Sequence, residues 1–207
     1  IYAGFLARSM GVPIRRLILA TNENNVLEEF FTTGIYRPRS AEDTLATSSP
    51  SMDISKASNL ERFIWALLGP EVFVQRWAEL EATGTLDLRD QLPRLREEFG
   101  FVAGTSTHAD RLEAIRSVKE RSGRLIDPHT ADGVTVALRV MEPGFPTLVM
   151  ETAKAAKFPQ TVAEALGSEP ETPDVVADLL ARPQKVETID NEEAPLRALI
   201  EERALTR

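Results

Sequence analysis

Three polar clusters follow apolar runs directly: Thr21-Asn22, His129-Thr130 and Thr152. Ligands of open parallel sheets sit beyond the carboxyl ends of the strands, so residues in such places can bind an anion or orient a heterocycle. Thr152 offers a hydroxyl, and a threonine after a strand also serves as a turn former or helix cap. Asn22 fits the N-cap of a helix from about Glu23 to Thr33, worth about 1 kcal/mol. It could equally contact an anion there, because a helix N-terminus favours negative charge. His129 has the imidazole of a proton shuttle, or of a structural hydrogen-bonding residue.

Other chemistry is sparse. Cysteine is absent, which removes disulfides, thiolate metal ligands and thiol nucleophiles. His108 and His129 are the two histidines, and no carboxylates cluster at ligand spacing, so no metal site is expected. The five lysines are Lys56, Lys119, Lys154, Lys157 and Lys185. A covalent-catalytic lysine needs desolvation to lower its pKa. Lys119 sits in a charged stretch that argues for exposure. Lys154 and Lys157 flank Thr152 and read as a solvated helix start.

The elements that would position these residues alternate in an α/β rhythm. Residues 1–10 have helical apolar spacing, and Gly11 with Pro13 stops that helix. Ile14–Ala20 reads as a buried strand. A helical insertion is expected over about 58–100, with three helices and no strand between them. Leu60, Phe63, Ile64, Leu67 and Leu68 share a face; Phe73, Val74, Trp77 and Leu80 form a second stripe, and Leu92, Leu95 and Phe99 mark the third helix. Trp65 and Trp77 read as packing residues. Phe101–Ala103 begins the rhythm again, with Thr105 or Thr107 capping the next helix. Short strands are expected near 124–126, 146–151 and 185–189. Helices are expected from Asp127-Pro128 through Val140 and at about 157–166, 173–182 and 191–205. The whole, residues 1–207, reads as one α/β body with a parallel sheet.

The net charge of −8 and pI near 5.0 disfavour nucleic acid and anionic membranes as partners. No apolar run reaches the roughly 18 residues that span a bilayer. The start lacks a basic region followed by an apolar core, so no signal peptide is expected. The absence of cysteine is compatible with the cytoplasm.

Four segments carry a resemblance that composition does not show. Ala20-Thr21-Asn22-Glu23-Asn24-Asn25, the stretch Ser48-Ser49-Pro50-Ser51-Met52-Asp53-Ile54 through Arg62, and Asp127-Pro128-His129-Thr130-Ala131 occur in that order. Met150-Glu151-Thr152-Ala153-Lys154-Ala155-Ala156-Lys157-Phe158 follows them. Together they resemble the C-terminal half of threonine synthase, a pyridoxal-phosphate family. Its Glu-Thr-Ala-His-Pro-Ala-Lys-Phe pattern is met except at Lys154 and Ala155.

The resemblance implies a fold type II, tryptophan synthase β-like parallel-sheet domain with the helical insertion. It implies conversion of O-phospho-L-homoserine and water to L-threonine and phosphate by γ-elimination and β-addition. Thr152 would give its hydroxyl to the cofactor's ring nitrogen, leaving that nitrogen largely neutral where an aspartate would hold it protonated. Asn22 would be a second cofactor contact. The Schiff-base lysine, in a Phe-Lys-Asp context absent here, would lie upstream of Ile1, as would the Gly-Asn-Phe-Gly-Asn phosphate loop. No catalytic residue is therefore assigned within the chain, and the isolated chain is expected to be inactive. Alternatives are another lyase of the same fold, such as threonine dehydratase, and a non-catalytic α/β binding module. Oligomeric state is not readable.

Overall fold

The computed structural model describes residues 1–151, 153–174, 178–179 and 181–204. The chain divides into two compact units, residues 1–171 and 172–207. The first holds every strand among the described residues.

Helix α1 (Tyr2–Ser9) precedes β1 (Leu17–Thr21), and α2 (Val26–Thr33) follows it. Strand β2 (Ile35–Tyr36) comes next, then α3 (Leu60–Leu68) and α4 (Pro70–Thr83). Strand β3 (Leu86–Asp87) leads through a 3-10 turn and a π turn at Arg94–Glu98 into β4 (Phe101–Thr105). Helices α5 (His108–Ser122), α6 (Pro128–Val140) and α7 (Pro159–Leu166) close the first unit. The second unit contains α8 (Glu193–Ala204).

β1 and β4 pair in parallel, with Leu17 opposite Phe101 and Thr21 opposite Thr105. The register brings both strands to their carboxyl ends together, so the residues after Thr21 and Thr105 share one edge. The expected helical insertion lies where the pattern placed it, but it is not strand-free. Tyr36 pairs antiparallel with Leu86 of β3, and both are fully buried. Nor does α3 stand apart from the sheet. Phe63 of α3 meets Phe5 of α1 edge-on at 5.2 Å and Phe101 of β4 at 5.1 Å, while Phe31 of α2 lies 4.5 Å from Phe101. Offset and edge-on contacts of this kind add to the area each ring buries. Trp77 stacks on Phe73 at 5.1 Å, as packing predicts, whereas Trp65 is half exposed. The third helix of the insertion is one short run that changes pitch, 3-10 at Arg89–Gln91, helical through Leu92 and Pro93, and π at Arg94–Glu98.

Three expected strands do not form. Residues 124–126 are held between Gly123, at φ +71°, and the cap Asp127, and Leu125 and Ile126 pack into the apolar cluster of α5, α6 and α7. Residues 146–150 find no neighbouring strand, and Leu148 is 88 % exposed. Residues 185–189 are likewise without a ladder partner and exposed. A strand exists through its ladder partner, and alternation of residue types cannot supply one. The helix start near Asn22 also differs: α2 begins at Val26, with Asn25 at its cap. Among the described residues no helix is long and apolar enough to cross a membrane.

Candidate functional site

The site is built on the carboxyl edge of β1 and β4. Asn22, next after β1, is fully buried and folds back on the chain instead of capping α2. Its Oδ1 accepts the N–H of Asn24 at 2.9 Å. Its Nδ2 faces Thr47 Oγ1 at 2.8 Å, Asp53 Oδ1 at 2.9 Å and Ser49 Oγ at 3.1 Å. The same Asp53 oxygen accepts from Asn24 Nδ2 at 2.9 Å and Thr47 Oγ1 at 2.8 Å, and Asp53 Oδ2 takes the Thr47 N–H at 2.8 Å. Asn22 and Asp53 therefore pin the loop through Thr47, Ser48 and Ser49 onto the sheet edge. A ligand contacting Asn22 directly would have to displace one of these bonds.

His129 holds the next piece. It lies in the first turn of α6, where Asp127 caps the helix and Pro128 occupies the N1 position, which needs no N–H. Asp127 Oδ1 accepts from the His129 N–H at 3.0 Å and from His129 Nδ1 at 2.7 Å, and Oδ2 accepts from the Thr130 hydroxyl. Ring atom Nε2 accepts the backbone N–H of Ser51 at 3.0 Å. An amide can only donate, so Nε2 is unprotonated and Nδ1 carries the proton. Both nitrogens are committed, which makes His129 a structural link and leaves it no lone pair for shuttling. Burial pushes the Asp127 carboxyl up, but the bonds from His129 and Thr130 outweigh it and hold its pKa below the usual aspartate value.

Behind this edge lies an ionic cluster that the sequence reading missed. Arg111 of α5 is fully buried. Its terminal nitrogens reach Glu23 at 2.9 and 3.0 Å and Asp132 of α6 at 3.1 Å, and its Nε reaches Ser48 Oγ at 2.7 Å. Glu23 also accepts the His108 N–H at 2.8 Å, at the start of α5. Desolvation lowers the Arg111 pKa, but its two carboxylate partners outweigh that and raise it. At Asp132 burial wins over Ser49, Arg111 and Ser106, and the carboxyl pKa is raised. Arg111 escaped notice because it sits among charged residues that read as a solvated helix face.

All five lysines are exposed. Lys154 pairs with Glu151 at 2.6 Å and Lys119 with the Gly123 carbonyl at 3.2 Å. None has the desolvation that a covalent lysine requires. Thr152 lies outside the described residues.

Two clefts flank the sheet. The larger, about 620 Å³, lies at the amino end of β4, walled by Arg8, Arg15, Arg16 and Arg96. Those arginines are engaged: Arg8 donates to the carbonyls of Arg15 and Glu98, Arg15 and Arg16 pair with Glu142, and Arg96 donates to Thr32. The smaller, about 450 Å³, opens between Arg39, Thr44, Asp53 and Lys56, beside the loop that Asn22 pins. The strand-end rule favours the smaller one.

A family profile described as "Threonine synthase, C-terminal" matches residues 130–200. The threonine synthase of Methylobacillus glycogenes is 48% identical over 203 residues, covering 97% of this chain and 43% of the relative. That of Corynebacterium glutamicum is 50% identical over 199 residues, covering 93% and 41%. The chain belongs to the threonine synthase family. It spans less than half the length of these relatives and matches a C-terminal portion. Among solved structures, PLP-bound threonine synthase from Brucella melitensis superposes with a TM-score of 0.83 at 34% identity, covering 97% of this chain and 42% of that one. Threonine synthase from yeast gives 0.81 at 26% identity, covering 99% and 45%. These likenesses bear out the expected α/β, fold type II class.

Proposed function

We propose that the chain is the C-terminal portion of a cytoplasmic, pyridoxal-phosphate-dependent lyase that converts O-phospho-L-homoserine and water to L-threonine and phosphate. The observation that carries this reading is identity of 48–50% across 93–97% of the chain to threonine synthases. The described residues fit such a cofactor in part. They supply a polar carboxyl edge and an adjoining cleft, and they supply no desolvated lysine. The lysine is accordingly assigned to the portion that the relatives carry and this chain does not match.

When bound, pyridoxal phosphate supplies an electron sink for carbanions. The chain's own contribution is positioning. Thr152 is proposed to give its hydroxyl to the ring nitrogen. Asn22 is proposed to act beside it, through the Thr47–Asp53 loop that it holds. Asp127, by fixing His129, keeps Ser51 against the start of α6. Arg111 anchors Ser48 from below.

The reading is tested on the longer polypeptide that contains residues 1–207, loaded with pyridoxal phosphate. Stoichiometric release of phosphate and L-threonine from O-phospho-L-homoserine is expected. A folded, cofactor-loaded polypeptide that yields neither would overturn it. The 207-residue chain alone, reduced with borohydride in the presence of the cofactor, should gain no single-site adduct. Such an adduct on Lys154 or Lys157 would contradict the placement of the lysine elsewhere.

A further inference from the structure

We propose that Ser48 is a nucleophilic hydroxyl with its own base, able to accept a small activated acyl or phosphoryl group, independently of the lyase reading. Its Oγ lies 2.7 Å from His108 Nδ1, and His108 Nε2 lies 2.9 Å from Glu164 Oε1 of α7. Arg111 Nε approaches the same Oγ at 2.7 Å.

Chemistry fixes the polarity of this chain of bonds. A guanidinium only donates and an ionised carboxylate only accepts. Arg111 therefore fills one lone pair of Ser48, and Glu164 takes the Nε2–H of the neutral imidazole. Nδ1 is left as the acceptor, and the one proton remaining to fill it is that of Ser48. Hydroxyl, imidazole and carboxylate thus stand in the order of an acyl-transfer triad, with the ring turned so that Nδ1 faces the nucleophile. Arg111 adds a fixed charge-assisted donor that stabilises negative charge on Oγ. It is held in place by Glu23 and Asp132 and cannot swing away.

Access also distinguishes this serine. Ser49 is fully buried, whereas Ser48 is half-buried, and the side chains of His108 and Glu164 are 44% and 55% exposed. A small electrophile can approach from solvent on the His108 side. In the step, Ser48 Oγ forms a bond to the carbonyl carbon or phosphorus as its proton passes to His108 Nδ1. The leaving group departs with its bonding electrons, and Glu164 stabilises the imidazolium.

The probe is a fluorophosphonate added to the 207-residue chain, with the adduct located by peptide mass spectrometry. One adduct on Ser48 is expected, with a P–O bond formed, the P–F bond broken and fluoride released. His108→Gln, which keeps hydrogen bonding but lacks basicity, should slow labelling about a hundredfold, with circular dichroism confirming the fold. The proposal is overturned if the folded chain gains no adduct at Ser48. A folded His108→Gln chain that labels at the unsubstituted rate would also overturn it. In any of those cases the bonds serve only to tie α5 to α7.

Discussion

His129 Nε2 accepts the backbone N–H of Ser51 at 3.0 Å across 78 positions of sequence. This bond couples the first turn of α6 to the Ser-Pro-Ser-Met-Asp segment. His129→Ala takes the acceptor from the Ser51 N–H and removes one of the two bonds from residue 129 to Asp127 Oδ1. A loss of about 1–3 kcal/mol is expected, read as a lower urea midpoint with unchanged slope.

Asp127 sets an acid limit. Its pKa is depressed in the fold by His129 and Thr130. Its contribution is therefore fully present above the unfolded aspartate value of about 3.9 and disappears as pH falls through the lower folded value. Asp127→Asn should flatten that part of the stability-against-pH curve, which lies below about pH 4. It should also cost about 1 kcal/mol at neutral pH, because the charge-assisted bonds from His129 and Thr130 become neutral ones. Chemical denaturation at several pH values measures both, and parallel curves for the two proteins would remove Asp127 as the cause.

Arg111→Met should be the most damaging single change. It strands Asp132, which is fully buried, and breaking a buried pair from one side costs about 3–5 kcal/mol. Arg111→Met combined with Asp132→Asn should recover part of the loss. A double-mutant cycle in denaturant reads the coupling, and purely additive losses would show that the two charges do not interact.

Thr152→Val, made in the longer polypeptide, tests the cofactor proposal at that residue. Removing the hydroxyl while keeping the branching should weaken cofactor binding by about 1–2 kcal/mol, roughly tenfold, with little effect on folding. Cofactor titration by absorbance decides it, and unchanged affinity would reduce Thr152 to a turn residue.

Local pattern made much of this architecture legible. Apolar spacing placed α1 and α3, because helices are held by contacts between near neighbours in sequence, and Asp127-Pro128 marked the start of α6. The paired strands β1 and β4 were visible as branched runs. Residues 124–126 and 146–150 misled, because composition says that a strand could form and only a neighbour decides whether it does. The site was less legible. Asn22 looked like a helix cap because its best partners, Thr47 and Asp53, lie some distance along the chain, inside an irregular stretch. Arg111 looked solvated because nothing local reveals that Glu23 and Asp132 close over it. His129 could be read either way until Ser51 settled its tautomer.

The exposed run near Leu148 has a colloidal consequence. Leu148 and Met150 face solvent on a backbone with no ladder partner, so the same run of a second copy can add to it edge to edge. Mutual repulsion from the net charge of −8 opposes such encounters at neutral pH. That repulsion fades near the pI of about 5.0. Turbidity of concentrated chain should accordingly peak there, and Leu148→Lys should suppress it by placing a charge in the middle of the sticky run.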